Sequence, residues 1–202
     1  EVSEVLALGG AVMVYNAPQR TGWLTGWHQD LLAKVSDYCH ARKETCFGTR
    51  SVPQAVLLNL ASHYYAHNAP LFNYGTALQP LEGALHAMLE NHWSTDILNE
   101  DAALERLRDY PLAVVPEQTR FTEAMRTTLK EYVQNGGKLV MSGDGLARQE
   151  GGWLGVEAKG EPLPQTYLPV GTEVTPASGP WQPVRLKEAE SLLRHYRGQD
   201  PS

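Results

Sequence analysis

PLAVVPEQTRFTEAMRTTLKEYVQNGGKLVMSGDG, residues 111–145, reads as strand, helix, strand and turn. PLAVVP is a short apolar run bounded by prolines, the pattern of a buried strand. Thr122 and Glu123 then open a helix whose apolar face is Met125, Leu129, Tyr132 and Val133. Asn135-Gly136-Gly137 stops that helix, since these residues enter a left-handed turn at little steric cost. Lys138 to Met141 forms the next strand, and Gly143-Asp144-Gly145 makes a tight turn after it.

The same alternation extends toward the N-terminus. QAVLLNL, residues 54–60, is a second apolar run, and STDIL, residues 94–98, a third. Between them Pro80 opens a helix with Leu81, Ala84, Leu85, Met88, Leu89 and His92 on one face. Ala102 to Arg108 predicts a short helix. Strands that are apolar at consecutive positions, separated by helices, belong to a parallel sheet covered on both faces. The expectation is an open, doubly wound α/β sheet over residues 51–160.

Two flanking segments differ from this pattern. Residues 11–15, AVMVY, read as a buried strand, followed by a polar loop from Asn16 and by a helix over His28 to Glu44 with Gly48 as its stop. This makes residues 1–50 a separate β-loop-α piece. Residues 161–202 lose periodicity and hold most of the remaining prolines, predicting extended strands and loops, a last edge strand near WQPVRLKEAE and a weak helix at 188–196.

The 202 residues carry a formal net charge of -6, with 17 basic residues scattered singly or in pairs. No basic stripe is present to track a phosphate backbone, so nucleic acid is not an expected partner. No apolar run approaches the ~20 residues that span a bilayer, so no membrane is expected either. Cys39 and Cys46 form no CxxC pair and have no histidine at ligand spacing, so they read as free thiols, with a disulfide left open if the helix ends before Cys46.

Ligands of doubly wound sheets meet the carboxyl ends of the strands, so the chemistry is sought there. Ser142 lacks the small residues on either side that a nucleophile elbow needs, and Asp144 between glycines reads as a turn. Neither GxGxxG nor GxxxxGK[ST] occurs between a strand and a helix, so no nucleotide cofactor is expected. Glu100, Asp101 and Glu117 follow strands, where acids usually cap the next helix. No metal site and no catalytic residue are assigned. The exposed-loop candidates for a sugar contact are Asn16, Arg20, Trp23, His63 and Tyr64, with aromatic faces at Trp23, Trp27 and Tyr64.

Residues 109–145, DYPLAVVPEQTRFTEAMRTTLKEYVQNGGKLVMSGDG, within a segment running from about residue 52 to 145, resemble the accessory domain that follows the catalytic barrel in bacterial family 42 β-galactosidases and related α-fucosidase-like glycoside hydrolases. That resemblance implies a flavodoxin-like, class I glutamine-amidotransferase-like fold, which in the galactosidases is the trimerisation domain. Residues 7–42 are similar to the last strand and helix of such an enzyme's (β/α)8 barrel, which would set the Asn16 to Trp23 loop at the catalytic face. In amidotransferases a cysteine elbow follows a central strand, whereas neither cysteine here follows a strand of the predicted sheet.

The resemblance implies a non-catalytic accessory and oligomerisation domain of a glycoside hydrolase, partnered by its own barrel; a barrel fragment with an unpaired strand edge and an apolar helix face is in addition expected to self-associate as a dimer or trimer. The resemblance further implies carbohydrate bound through the parent enzyme, and a periplasmic or secreted location. Two alternatives remain: a small-molecule hydrolase or amidotransferase-like enzyme using Ser142 or a cysteine, and a stand-alone sugar-binding module.

Overall fold

The computed structural model describes residues 2–69, 71, 78–193, 195, 196 and 198. The chain divides into two compact units, residues 1–52 and 53–202.

In the first unit, helix α1 (Val2–Ala7) ends at Gly9, whose φ of 77° allows Gly10 N–H to reach the Val5 carbonyl at 2.8 Å. Glycines 9 and 10 therefore stop a helix. Residues 11–15 form no strand, contrary to the expectation from their composition, and so the unit lacks its βα start. A strand needs a neighbour to take its N–H and C=O groups, and none of the described segments pairs with this one. Met13 is 90% exposed and Tyr15 84%. After the loop come α2 (Gly26–Ala41) and α3 (Lys43–Cys46), where sequence predicted one helix from His28 to Glu44. Neither helix buries a residue; Leu32, Val35, Tyr38 and Cys39 are half-buried. Cys39 and Cys46 are free thiols.

The second unit is the α/β fold. Strands β1 (Ala55–Asn59), β2 (Thr95–Asn99), β3 (Leu112–Val115) and β4 (Lys138–Met141) make an all-parallel sheet in the order β2-β1-β3-β4. β1 is followed by α4 (Ala61–His67) and α5 (Gln79–Glu90), and β2 by α6 (Glu100–Arg106) and a 3-10 turn (Leu107–Asp109). Helix α7 (Glu123–Gln134) links β3 to β4. The step from β1 to β2 runs one way across the sheet, and the steps from β2 to β3 and from β3 to β4 run the other way. Right-handed crossovers then place α5 on one face and α6 and α7 on the other.

Burial agrees with this arrangement. Val56, Leu58, Leu98, Ala113 and Val115 pack in one cluster with Ala103, Leu107, Met125, Leu129 and Tyr132 of the α6 and α7 face. The reversal of direction lies between β1 and β3, the topological switch point at which such sheets open a crevice.

Beyond β4 lie short helices α8 (Leu146–Gln149) and α9 (Gly151–Leu154). β5 (Val156–Ala158) pairs antiparallel with β8 (Val184–Leu186), and β6 (Leu163–Val170) with β7 (Glu173–Trp181). The strand near WQPVRLKEAE thus exists as β8, in a ribbon of its own and not at the edge of the main sheet. The described residues of 188–196 contain no helix; Tyr196 instead bridges to Tyr167. Glu150, between α8 and α9, is a buried carboxylate that accepts from Arg126 Nε at 2.8 Å and Trp153 Nε1 at 2.7 Å, tying α7 to this segment.

Candidate functional site

The switch point brings together the ends of β1 and β3. Its lining includes Asn59, His63, Tyr64, Asn68, Glu117 and Gln118, around a cavity of about 30 Å³. That is room for about one or two water molecules. The crevice is closed because the loop after β3 is stitched to the β1–α4 connection by three consecutive residues.

Gln118 makes the first stitch. Its Oε1 accepts Leu60 N–H at 2.7 Å, and its Nε2 donates to the Leu58 carbonyl. The side chain thereby imitates a neighbouring strand for the last turn of β1, where Leu58 and Leu60 are wholly buried and water cannot serve. Thr119 makes the second, its N–H donating to His63 Nδ1 at 3.3 Å. Arg120 makes the third, its carbonyl accepting Ser62 Oγ–H at 3.0 Å.

Two further side chains fix the surroundings. Glu100, 5% exposed, accepts Ser62 N–H at 2.8 Å and Thr122 Oγ–H at 2.7 Å. Burial alone would raise its pKa, but the bonds from Thr122 and Ser62 outweigh that and hold the carboxyl below its ordinary value. Capping is thus its role, although it caps α4 across the sheet; the helix that follows β2 is capped by Asn99, whose Oδ1 accepts Ala102 N–H at 2.9 Å. Ser142 Oγ accepts Glu117 N–H at 3.1 Å. Glu117 itself has a φ of 51°, left-handed for a residue with a side chain, and this backbone turn is what aims Gln118 back at β1.

His63 has a pKa below the ordinary imidazole value, through burial first and then through the like charges of His67 and Arg120. The two imidazoles stack with centroids 4.2 Å apart, and His67 Nδ1–H donates to the His63 carbonyl at 2.9 Å. Tyr64 is half-buried and meets Tyr65 edge to face at 5.1 Å.

The other sequence candidates lie in the first unit. Asn16 is half-buried, and its Oδ1 bonds His28 Nδ1 at 3.2 Å. Its Nδ2 is buried without a hydrogen-bond partner. Arg20 is exposed and Trp23 is 77% exposed, in a loop closed by Gln19 N–H to the Trp23 carbonyl at 2.9 Å. Sequence reasoning read Thr122 as the start of the helix after β3, which its hydroxyl caps, and read Glu117 as a cap, which it is not; it assigned nothing to Gln118, Thr119, Arg120 or His67.

No family model matches the chain. No curated protein matches it either. Solved structures do. It aligns with α-L-fucosidase isoenzyme 2 from Paenibacillus thiaminolyticus at a TM-score of 0.76 and 18% identity, over 96% of this chain and 31% of that one. It aligns with an exo-β-1,4-mannosidase from Opitutaceae bacterium strain TAV5 at 0.63 and 15%, over 90% of this chain and 33% of that one. With the β-galactosidase of the psychrophilic Marinomonas ef1 the values are 0.62 and 16%, over 90% and 30%.

The chain resembles part of a glycoside hydrolase. It spans about a third of each of these enzymes, and at such identities the likeness is one of fold.

Proposed function

We propose that this chain is a non-catalytic accessory region of a glycoside hydrolase, serving to pack against the catalytic barrel and to assemble copies of the enzyme. The observation that carries the reading is the condition of the switch point. Gln118, His63, Glu100 and Ser142 each bond a main-chain group there, so the polar side chains at the strand ends are spent on holding loops. A second support is that the fold recurs in proteins named for three different sugars, a fucoside, a mannoside and a galactoside. A part common to enzymes of different specificity suits scaffolding better than substrate choice.

In this reading the sugar is met at the edge of the parent enzyme's pocket, and Asn16, Arg20 and Trp23 of the first unit are the side chains assigned to that edge. Trp23, with most of its ring in solvent, has the face that a pyranose stacks on. The test is turnover by the purified 202-residue chain of p-nitrophenyl fucoside, mannoside and galactoside, with sedimentation of the same sample. No turnover and a dimer or trimer are expected. Hydrolysis that disappears in Ser142→Ala or His63→Asn would overturn the proposal in favour of an enzyme.

A further inference from the structure

The three stitches that close the switch point differ in one chemical respect. Gln118 bonds through a neutral amide, and Arg120 through its main-chain carbonyl. The middle stitch alone depends on a group that titrates near neutrality. Thr119 N–H donates to His63 Nδ1, so that nitrogen must offer a lone pair, and the imidazole must be neutral with its proton on Nε2. A proton on Nδ1 turns the acceptor into a donor facing another donor.

We propose that His63 is a proton-operated latch: neutral, it holds Thr119 of the loop after β3 against α4, and protonated, it releases the Thr119 amide and loosens that loop over the switch-point crevice.

The groups around the ring favour release. On its own helix the His67 imidazole stacks at 4.2 Å, and from the loop after β3 comes the Arg120 guanidinium, so both neighbours disfavour a proton on His63. Glu117, exposed on the same rim, is the acid on that loop. Glu100, at the start of α6, has both oxygens occupied, by Ser62 N–H and Thr122 Oγ–H. The start of α5 contributes Leu78, Pro80 and Leu81, which carry no charge.

The sign follows from the lowered pKa. The latch is closed above the ordinary imidazole value of 6.5 and is lost as pH falls through the lower folded value. Glu117 is already held in a left-handed conformation, so a loop freed at Thr119 has stored strain to relax.

The experiment is amide hydrogen exchange by NMR on the 202-residue chain from pH 7.5 to 5, corrected for intrinsic rates. The Thr119 amide should exchange roughly fivefold faster or more at the acid end, the loss of one hydrogen bond. His63→Asn keeps an acceptor near the Nδ1 position without the titration, and its Thr119 amide should show a flat profile. Titrating the His63 ring nitrogens in the unsubstituted chain gives a readout independent of whether the variant folds; its midpoint should coincide with that of the Thr119 amide. A flat wild-type profile, an acid response retained in His63→Asn, or midpoints that fail to coincide would each overturn the latch.

Discussion

The Glu100 carboxylate accepts the main-chain N–H of Ser62 at 2.8 Å, so the first residue of α6, just past β2, caps the helix that follows β1. Because Thr122 donates to its other oxygen, the same side chain also holds the start of α7. Its folded pKa is depressed, so the stabilisation it gives is fully present above the ordinary value of 4.5 and is lost as pH falls through the folded value. Glu100→Ala should cost about 1–3 kcal/mol at pH 7, because a buried N–H and a hydroxyl lose their acceptor. Glu100→Gln should cost less. Urea unfolding at pH 7 and at pH 4 checks the sign, since the gap between wild type and either variant should narrow in acid.

Gln118 offers an opposite pH dependence by substitution. One of its atoms accepts from Leu60 N–H and the other donates to the Leu58 carbonyl. Gln118→Glu keeps the first contact but sets a carboxylate oxygen against the carbonyl, which favours the protonated acid and raises its folded pKa. Gln118→Glu should therefore be less stable than wild type at neutral pH and recover part of the difference as pH falls through that raised value. Gln118→Ala, which strands both main-chain groups, should lose about 1–3 kcal/mol with little pH dependence. Denaturation midpoints across pH 4–8 distinguish the two.

A side chain on Gly137 would fall on the ring of Tyr132. That ring is buried, and its hydroxyl lies 2.9 Å from the Tyr110 carbonyl and 3.2 Å from that of Lys138, locking the end of α7 against the starts of β3 and β4. Gly137→Ala should destabilise by about 1–3 kcal/mol through overpacking. Thermal unfolding, together with loss of the near-ultraviolet tyrosine signal, reads the effect.

The sequence made this part of the fold easy to see, for a physical reason. Lys138 to Met141 is a strand as read, and Asn135-Gly136-Gly137 a helix stop as read, because apolar runs and left-handed turns are properties of a few adjacent residues. AVMVY at 11–15 misled because pairing belongs to two segments, and an apolar run states only that a surface would be better buried. β6 and β7 were hard to delimit because prolines 164, 169, 176 and 180 lie inside them; a two-stranded ribbon tolerates prolines on its outer edges.

The site was less legible than the sheet. Its working contacts join Gln118 to Leu58 and Thr119 to His63, far apart in sequence, and they depend on the left-handed turn at Glu117 that no residue type announces.

Two helices end with the same pair of backbone bonds but with different residues at the left-handed position. After α7, Gly136 has a φ of 94°, with its N–H to the Val133 carbonyl at 3.0 Å and Gly137 N–H to that of Tyr132 at 2.9 Å. After α5, His92 has a φ of 60°, with its N–H to the Leu89 carbonyl at 2.9 Å and Trp93 N–H to that of Met88 at 3.0 Å. Glycine holds this conformation without a Cβ penalty, whereas other residues lose roughly 1 kcal/mol there. His92→Gly should then stabilise the chain by about that amount, raising Tm by about 2–4 °C in a protein of this size. Gly136→Ala, at a position with open space around the missing Cβ, should lower Tm by a similar margin through backbone strain alone. Calorimetry of the two single variants and of the double variant tests both signs, and near-additive shifts are expected because the two caps share no bonding partner.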